Sequence, residues 1–405
     1  LSLLYLVFYF LGSFFIKRPL KCLTIPFLWV MIEFLKESIW CGFGWANLGY
    51  SQFNNLYLIQ IADLGGTKLI SFVIVLVNFL IWKILIINKN EKDKNIFKLL
   101  LNKIGLILII FITILTYSFY KLNKIEAKEK IEISVVQTNI LDKHLLSEED
   151  KVEILKDLSG LVKKTPRENL VIFPEAAWPY TVDSTNTKKF KYFAKNTERN
   201  ILIGVITESE GRYYNSVVYL DKQGNITNQY DKINLVPFGE YVPLRRYLKF
   251  IKVLNSIGDI TPGQEVKTFT DQDNKFSVLI CFEDIFPNYV AKVARGKDFL
   301  VNITDDSWFY GQPEAGQHLS IMVLRAIENR ISIVRSANTG ISGWVSPQGQ
   351  ITKLKKAKEE LFVRAKEDFK ILTSQKRSFY NKRKGWFVLF SFLFLLVIAF
   401  KKKVD

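Results

Sequence analysis

Long apolar runs at both ends of the chain enclose a region of shorter, mixed runs. A helix needs roughly 20 apolar residues to cross the about 30 Å of hydrocarbon in a bilayer. Apolar runs near that length occur at residues 1–16, 22–40, 68–87, 101–120 and 385–400. The pattern therefore predicts a membrane part that flanks the middle of the chain.

The run at 22–40 is the weakest of these candidates because it carries Glu33, Lys36 and Glu37. Charged side chains are costly in hydrocarbon, so this helix could instead pack inside the helical bundle.

The chain starts at Leu1, within an apolar run and without Met. No small-residue cleavage site follows, so we expect a fragment that lacks its first spans rather than a signal peptide.

The middle of the chain, from 130 to about 375, has the pattern of an α/β domain. Short runs rich in β-branched and aromatic residues recur there and predict strands. These runs are IEISVVQTN, NLVIFPE, ILIGVI, NSVVYL, FSVLIC, DFLVNIT and ISIVRSAN. Ser147, followed by Asp150, resembles a capping box that opens a helix to about 163. A second helix is expected over 314–330.

Composition agrees with a membrane part joined to a globular part. Hydrophobic residues make up 49% of the chain, whereas 23% charged residues are too many for a pure membrane bundle. The formal charge of +17 comes mostly from scattered lysines, and no nucleic-acid-binding motif is present. Basic residues of this kind are typical of loops near anionic lipids. We therefore expect no nucleic-acid partner.

Basic clusters predict the orientation of the spans, because cytoplasmic loops carry an excess of Lys and Arg. The clusters are Lys17, Arg18 and Lys21; Lys89, Lys92, Lys94, Lys98 and Lys103; and Lys401, Lys402 and Lys403. With these inside, the loop 41–67 and the region 121–384 lie outside. The cluster at 382–384 disagrees, but long translocated domains largely escape the rule.

Cysteine and histidine usage excludes two kinds of site. Cys22, Cys41 and Cys281 do not make a disulfide framework, and their odd number leaves at least one free thiol. Because the chain contains only His144 and His318, a histidine-rich metal site is excluded. We expect neither a metal nor a cofactor.

Three reactive side chains stand out for their positions. Glu175 directly follows the strand-like run NLVIFP, Cys281 directly follows FSVLI, and Lys232 lies in the loop-like segment DKINLVPFGEYVP. Ligands of α/β folds bind beyond the carboxyl ends of strands, so the first two positions converge on one site. Glu175 could take the proton of the thiol, and Lys232 could stabilise charge that develops on oxygen.

Each of these residues also has an ordinary explanation. A cysteine that ends an apolar strand is usually a small buried hydrophobe. A glutamate after a strand is usually solvated, and one lysine among many usually lies on the surface. Taken separately, the three residues do not establish a catalytic site.

The sequences around these residues resemble the nitrilase superfamily. FPEAAWP, DKINLVPFGEYVP and CFEDIFP are similar to its Glu, Lys and Cys motifs and occur in the same order. Further segments resemble one branch of it, the apolipoprotein N-acyltransferases. These segments are GFGWANLGYSQ at 42–52, DDSWF at 305–309, RAIENR at 325–330 and RSANTGIS at 335–342. The resemblance covers nearly the whole chain, but this family usually has Asn at the position of Asp305 and Pro at that of Gly44.

The resemblance implies an architecture and a catalytic triad. The expected fold is a multi-span α-helical membrane domain joined to an α/β catalytic domain of the nitrilase type, an α-β-β-α sandwich. Carried over to this chain, the triad is Glu175 as general base, Lys232 as charge stabiliser and Cys281 as nucleophile. These roles come from the resemblance.

Three more residues match positions near the site. Glu240 and Glu283 match acids that support the triad, and the alternative for each is a structural ion pair. Trp308 is expected to shape the acyl pocket, with a core aromatic as the alternative.

The resemblance implies transfer of a fatty acyl chain in two steps. Cys281 takes the chain from a phospholipid, with phosphatidylethanolamine as the expected donor, and a thioester forms. The N-terminal amine of the diacylglyceryl-Cys of an apolipoprotein then attacks this thioester. We expect transmembrane helices over 1–120, an extracytoplasmic catalytic domain over 121–384, and a last span with a cytoplasmic tail over 385–405. The expected location is the bacterial inner membrane, with the catalytic domain on the periplasmic side.

Two other functions fit the same residues. A membrane-tethered, nitrilase-like amidase would give the acyl group to water, and a lipid- or lipoprotein-binding protein would not use the triad at all. A palmitoyl-sized thioester on Cys281 after exposure to phospholipid would favour acyl transfer over the amidase.

The segment 241–263, YVPLRRYLKFIKVLNSIGDITPG, has the composition of a chain that lies on a membrane surface. Its basic residues are interleaved with apolar positions that we take to be Tyr247, Leu248, Ile251, Leu254 and Ile257. We hypothesise an arm that guides lipid to the active site, and an ordinary amphipathic surface helix is the alternative.

Overall fold

The computed structural model describes residues 2–18, 20–39, 42–90, 96–124, 130–141, 143–183, 187–308, 312–374 and 376–401. The chain forms two compact units. The helical unit comprises Leu1–Ile125, Val323–Arg330 and Arg377–Asp405, and the sheet unit comprises Glu126–Met322 and Ile331–Lys376. Helices and strands are numbered in chain order across both units.

The helical unit contains the apolar helices predicted from the sequence. Its helices are α1 (Ser2–Phe15), α2 (Lys21–Ser38), α3 (Ala62–Gly65), α4 (Thr67–Asn90), α5 (Ile96–Asn123), α11 (Phe379–Lys382) and α12 (Trp386–Phe400). Within the described residues, two stretches are long and apolar enough to cross a membrane, Thr67–Ile86 and Leu101–Asn123. Helices α1 and α12 are apolar but shorter. Length and composition therefore support two of the predicted spans.

The predicted span at 22–40 forms α2 but is not among these two stretches, because α2 contains Glu33, Lys36 and Glu37. The buried carboxylate of Glu33 accepts a hydrogen bond from the backbone N–H of Leu48 at 2.8 Å. The buried ammonium of Lys36 donates to the carbonyl oxygens of Trp45 and Ala46, at 2.9 and 3.2 Å. These charges thus hold the segment GFGWANLGYSQ against α2. This agrees with the alternative that the 22–40 helix packs inside the helical bundle.

Aromatic side chains join the helices of this unit. The ring of Phe27 in α2 lies 4.5 Å from that of Phe72 in α4 and 4.6 Å from that of Phe394 in α12, measured between centroids. Aromatic pairs at such distances stabilise packing beyond the area that they bury. The C-terminal helix therefore packs against helices from the beginning of the chain.

The sheet unit is an α-β-β-α sandwich, which confirms the nitrilase-type fold expected for this region. The first sheet has the order β13-β1-β2-β4-β5-β6, with β3 paired to β4, and the second has the order β12-β11-β10-β9-β8-β7. The strands of the first sheet are β1 (Lys130–Gln137), β2 (Leu170–Ile172), β3 (Thr181–Val182), β4 (Ile201–Ser209), β5 (Arg212–Leu220), β6 (Ile226–Asp231) and β13 (Ala365–Leu372). Those of the second are β7 (Phe269–Asp271), β8 (Asn274–Ile280), β9 (Phe299–Thr304), β10 (Ser332–Ala337), β11 (Gly343–Val345) and β12 (Ile351–Lys353).

Helices cover the outer faces of the two sheets. On the first sheet they are α6 (Glu148–Lys163) and α7 (Thr187–Thr197), and on the second they are α9 (Pro287–Val293) and the first part of α10 (Gln312–Asn329), which belongs to the helical unit from Val323 onward. The short helix α8 (Arg245–Leu248) has no buried residue. Helix α6 begins as predicted, because the hydroxyl of Ser147 accepts from the backbone N–H of Asp150 at 3.1 Å in a capping box. Helix α10 matches the helix predicted over 314–330.

Alternation along the strands produces two apolar layers. Side chains at every second position of a strand point to the same face. Ile133 and Val135 of β1 pack with Phe276 and Val301 between the two sheets, whereas Val136 packs outward in the layer beneath α6 and α7. The predicted strand runs all form strands of this sandwich.

Six of the thirteen described strands, β3, β6, β7, β11, β12 and β13, were not predicted from the sequence, and β13 is the longest of them. β13 pairs antiparallel with β1, from Lys130 opposite Leu372 to Gln137 opposite Ala365. Its sequence, AKEDFKIL, carries too many charged residues to predict a strand by apolar content. β13 therefore forms one edge of the first sheet, next to β1.

Candidate active site

Each of the three predicted triad residues lies at or just beyond the end of a strand. Glu175 lies just beyond β2, Lys232 directly follows β6, and Cys281 directly follows β8. Lys232, which the sequence placed in a loop, is 1% exposed. Its Nζ lies 3.3 Å from Oε1 of Glu175 and 3.0 Å from Oε1 of Glu240. The fold thus joins Glu175, Glu240 and Lys232 in one buried cluster of charges.

The carboxylate of Glu175 is held at both oxygens. Asn215 of β5 donates from Nδ2 to Oε1 of Glu175 at 2.7 Å and also to Oε1 of Glu240 at 2.7 Å. The backbone N–H of Asp305 donates to Oε2 of Glu175 at 2.8 Å. Gly204 of β4 allows this close packing, since a Cβ there would lie 2.6 Å from the Cα of Glu175. The orientation of Glu175 is therefore fixed before any substrate binds.

The backbone of Cys281 is strained. Its φ is 50°, and that of Ala176, directly after Glu175, is 47°. A residue other than glycine in the left-handed region costs about 1–3 kcal/mol, and such strain clusters at functional sites. The strain at Cys281 turns the chain sharply out of β8 into the short 3-10 helix Cys281–Ile285.

The thiol of Cys281 rests in its protonated form. Burial raises the pKa of Cys281 well above its usual value, and the charge of Glu175 raises it further, whereas Lys232 lowers it. The reactive form of a cysteine is the thiolate. This thiol therefore needs a base, and the charge of Glu175 already acts on it.

Lys232 keeps its positive charge despite its burial. Burial alone would lower the pKa of Lys232, but the negative charges of Glu175 and Glu240 raise it overall. The site thus contains a fixed cation next to a carboxylate and a thiol.

Glu283 joins the two loops that carry Lys232 and Cys281. It is fully buried, and the backbone N–H groups of Ile233 and Asn234 donate to its Oε1 at 2.9 and 3.0 Å. The backbone N–H of Ile280 donates to its Oε2 at 2.9 Å. The hydroxyl of Tyr230 donates to the same carboxylate at 2.7 Å. These neutral donors, rather than an ion pair, hold Glu283.

Glu240 and Trp308 differ in their surroundings. The second oxygen of Glu240 accepts from the backbone N–H of Val236 at 2.8 Å, which folds the 232–241 loop around Lys232. Glu240 therefore belongs to the cluster through its ion pair with Lys232. Trp308 is 72% exposed, so the alternative that it is a core aromatic is wrong.

Comparison with known proteins gives a family model for each part of the chain. The carbon-nitrogen hydrolase family model matches residues 132–372, and the model of the apolipoprotein N-acyltransferase N-terminal domain matches residues 1–80. Apolipoprotein N-acyltransferase from Geobacter metallireducens is 31% identical over 396 residues, covering 94% of this chain and 74% of that protein. The same enzyme from Wigglesworthia glossinidia brevipalpis is 31% identical over 376 residues, covering 87% of this chain and 70% of that protein.

The chain belongs to the apolipoprotein N-acyltransferase family. The resemblance inferred from its motifs is confirmed. A solved carbon-nitrogen hydrolase from Helicobacter pylori G27 is 17% identical, with a TM-score of 0.45, and covers 66% of this chain and 94% of its own.

Sequence reasoning missed several partners of Glu175 in this member of the apolipoprotein N-acyltransferase family. Asn215 lies in the middle of a strand, where no local pattern distinguishes it from other polar strand residues. Lys143 donates from Nζ to the carbonyl oxygen of Glu175 at 3.1 Å and lies 2.6 Å from Oδ2 of Asp305. The carboxylate of Asp305 is thus neutralised beside the base. Among the described residues, no group of three or more His, Cys, Asp or Glu side chains could hold a metal ion.

Proposed function

We propose that this chain transfers a fatty acyl chain from a phospholipid, by way of a thioester on Cys281, to the N-terminal amine of the diacylglyceryl-Cys of apolipoproteins. The observation that carries the proposal is the buried contact of Lys232 with Glu175, next to the strained Cys281, in a chain of this family. We further propose that phosphatidylethanolamine is the acyl donor.

In the first step, Glu175 takes the proton of Cys281 and the thiolate attacks the ester carbonyl of the phospholipid. The oxyanion that forms is stabilised by the cation of Lys232. The C–S bond forms, the C–O bond breaks, and Glu175 returns the proton to the departing lysophospholipid oxygen. The products of this step are a lysophospholipid and an acyl thioester.

In the second step, the amine of the lipid-modified cysteine attacks the thioester. Glu175 takes a proton from the attacking nitrogen, the C–N bond forms, and the C–S bond breaks. The sulfur of Cys281 leaves as a thiolate and takes this proton from Glu175, which restores both groups. Because both substrates use one thioester in turn, ping-pong kinetics are expected.

The thioester itself provides the test of the proposed function. Incubation of the purified protein with a palmitoyl phospholipid should add one palmitoyl group at Cys281, detected by mass spectrometry of the peptide. An amidase would instead hydrolyse a small amide without accumulating this species. A non-catalytic lipid-binding protein would retain lipid without any covalent adduct. Either of these two results would overturn the proposal.

We propose that the chain spans the bacterial inner membrane several times, with the catalytic domain on the periplasmic side. Transmembrane helices would occupy 1–120, the catalytic domain 121–384, and the last span with its tail 385–405. The apolar stretches Thr67–Ile86 and Leu101–Asn123 support spans in the first of these regions. Protease protection in sealed inside-out vesicles would test the orientation.

The 241–263 segment supports an arm that contacts lipid, although its apolar face differs from the predicted one. It consists of α8 and a 3-10 helix, Lys252–Ser256, rather than one amphipathic helix. Its most exposed apolar residues are Leu244 at 59%, Tyr247 at 60%, Phe250 at 78% and Val253 at 73%. Of the predicted positions only Tyr247 is among them, and Leu248, Ile251, Leu254 and Ile257 are half-buried.

Aspartate at both Phe250 and Val253 should reduce acyl transfer from bilayer phospholipid about tenfold or more. Each charge would have to leave water for the membrane interface, while the exposed positions leave the fold intact. The measurement is thioester formation with vesicles compared with phospholipid dispersed in detergent, where the loss should be smaller. Tyr192→Asp, at an equally exposed aromatic of α7, is the control and should have no effect. Unchanged activity on vesicles would contradict the arm.

A further inference from the structure

A cluster of four charged side chains lies buried behind the nucleophile. It consists of His318 from α10, Arg335 from β10, Asp284 from the Cys281–Ile285 helix, and Asp306, each 3% exposed or less. Nδ1 of His318 lies 3.0 Å from Oδ1 of Asp306, and Nε2 lies 3.1 Å from Oδ1 of Asp284. Nη2 of Arg335 lies 2.9 Å from Oδ2 of Asp306. The two acids and two basic groups balance one another.

The proton transfers proposed for acyl transfer make no use of this cluster. Burying an ion costs several kcal/mol even after relaxation, so a packed apolar core would be a less costly way to fill the space. The cluster is therefore expected to serve the site in another way, and its hydrogen bonds lead to Cys281.

One connection runs to the backbone of the nucleophile. Nη1 of Arg335 donates to Oδ1 of Asn302 at 2.6 Å, and Nδ2 of Asn302 donates to the carbonyl oxygen of Cys281 at 3.3 Å. Asn302 is fully buried in β9. Arg335 thus orients the side-chain amide of Asn302, and this amide binds the backbone carbonyl of Cys281.

A second connection runs to the sulfur. Thr304, at the end of β9, lies beside Cys281, because β8 and β9 pair in parallel with Ile280 opposite Ile303. Its hydroxyl donates to Oδ1 of Asp306 at 3.0 Å. Burial raises the pKa of Cys281, and the hydroxyl of Thr304 acts in the opposite direction. A hydroxyl has one proton and two lone pairs. While that proton is given to Asp306, the oxygen can only accept from the thiol. Once Cys281 is ionised, the hydroxyl can turn and donate to the thiolate.

We infer that Asp306, His318, Arg335 and Asp284 form a positioning cluster that holds Cys281 in its left-handed conformation, through Asn302 at its carbonyl and Thr304 at its sulfur. The inference rests on the proposed role of Cys281 as nucleophile. Thr304 and Asn302 are positioning residues in this account, and Thr304 also stabilises the thiolate when it forms.

The packing around Asp306 agrees with a precise position for its carboxylate. A Cβ on Gly340 would lie 2.8 Å from Cγ of Asp306 and 3.0 Å from its Cβ. A methyl group at this position would therefore push the carboxylate away from Thr304 without changing any charge.

Thr304→Val tests the connection to the sulfur, because valine has the shape of threonine without the hydroxyl. The protein would carry Cys22→Ser and Cys41→Ser, so that iodoacetamide reports on Cys281 alone. Without lipid, the alkylation rate at neutral pH should fall roughly tenfold or more, since a hydrogen bond to the thiolate is lost. The alkylation rate should also reach its maximum at a higher pH. Glu175, Lys232 and Asp306 are unchanged in this variant, so the shift would report the loss of the hydroxyl. In acyl transfer, kcat should fall while KM for the phospholipid stays the same.

Thr304→Ser is the matched control and should stay within about threefold of the unmodified rate, because it keeps the hydroxyl. Gly340→Ala should lower the alkylation rate in the same direction, and it provides the test if Thr304→Val does not fold by its melting temperature. A normal alkylation profile in both Thr304→Val and Gly340→Ala would overturn the inference, as would equal losses in Thr304→Val and Thr304→Ser. Normal alkylation of the unmodified protein without any thioester would instead contradict the proposed function.

Discussion

Cys281→Ala is expected to abolish thioester formation and acyl transfer, with a loss on the order of 10⁶-fold in kcat, as for other nucleophiles that act with a base. Alanine keeps the Cβ and has the same backbone preference at the left-handed φ of 50°, so the fold should be retained. Among the described residues of the site, Glu175 and Lys232 are held in their own hydrogen bonds, so we expect neither to replace Cys281 as nucleophile. The measurement is transfer of a labelled acyl chain to a diacylglyceryl peptide.

Cys22→Ser is the control for this prediction. Cys22 is a free thiol in α2 of the helical unit, so its replacement should leave transfer within about twofold of normal. In a strain depleted of the enzyme, Cys22→Ser should restore lipoprotein maturation and Cys281→Ala should not. If Cys281→Ala restored maturation fully, the thioester mechanism would be wrong.

Lys232→Met should lower both kcat and stability. Losing the donor to the oxyanion costs about 3–4 kcal/mol in the barrier, which corresponds to a 10²–10³-fold lower kcat. Removing the cation also leaves Oε1 of Glu175 and Oε1 of Glu240 with the single amide of Asn215 between them. An uncompensated buried charge of this kind destabilises a protein by about 3–5 kcal/mol. Denaturant unfolding and steady-state kinetics measure the two effects.

A double variant separates the effect of Lys232 on kcat from its effect on stability. In Lys232→Met with Glu240→Gln, one of the two buried charges is gone and an amide remains in its place, so most of the lost stability should return. The kcat should stay as low as in Lys232→Met, because the donor to the oxyanion is still missing. Recovery of kcat together with stability would mean that Lys232 acts only by holding the fold.

Much of the site could be predicted because catalytic residues of such folds follow strands. The runs before Glu175 and Cys281 are apolar and end abruptly at a polar residue, which is visible in the sequence. Lys232 follows β6, ITNQYD, whose polar composition predicts a loop rather than a strand. The family motifs, rather than periodicity, identified it.

The partners that orient these residues could not be predicted in the same way. Asn215 and Asp305 reach Glu175 from strands and turns distant in sequence, and Asp305 does so with its backbone, which any residue type could supply. The buried positions of Glu33 and Lys36 likewise follow from a tertiary contact with the 45–48 backbone. Local patterns carry no information on contacts of this kind.

The pairing of β1 with β13 has a consequence for synthesis of the protein. On the ribosome, β1 emerges more than 230 residues before its antiparallel neighbour is complete, since Lys130 pairs with Leu372. During that interval one edge of β1 has unpaired N–H and C=O groups, which favour association with other chains. Glu132 on that strand, 59% exposed in the folded protein, places a charge on the open edge. Nascent chains truncated before 365 should therefore aggregate more readily than chains that include β13, and Glu132→Val should increase that tendency.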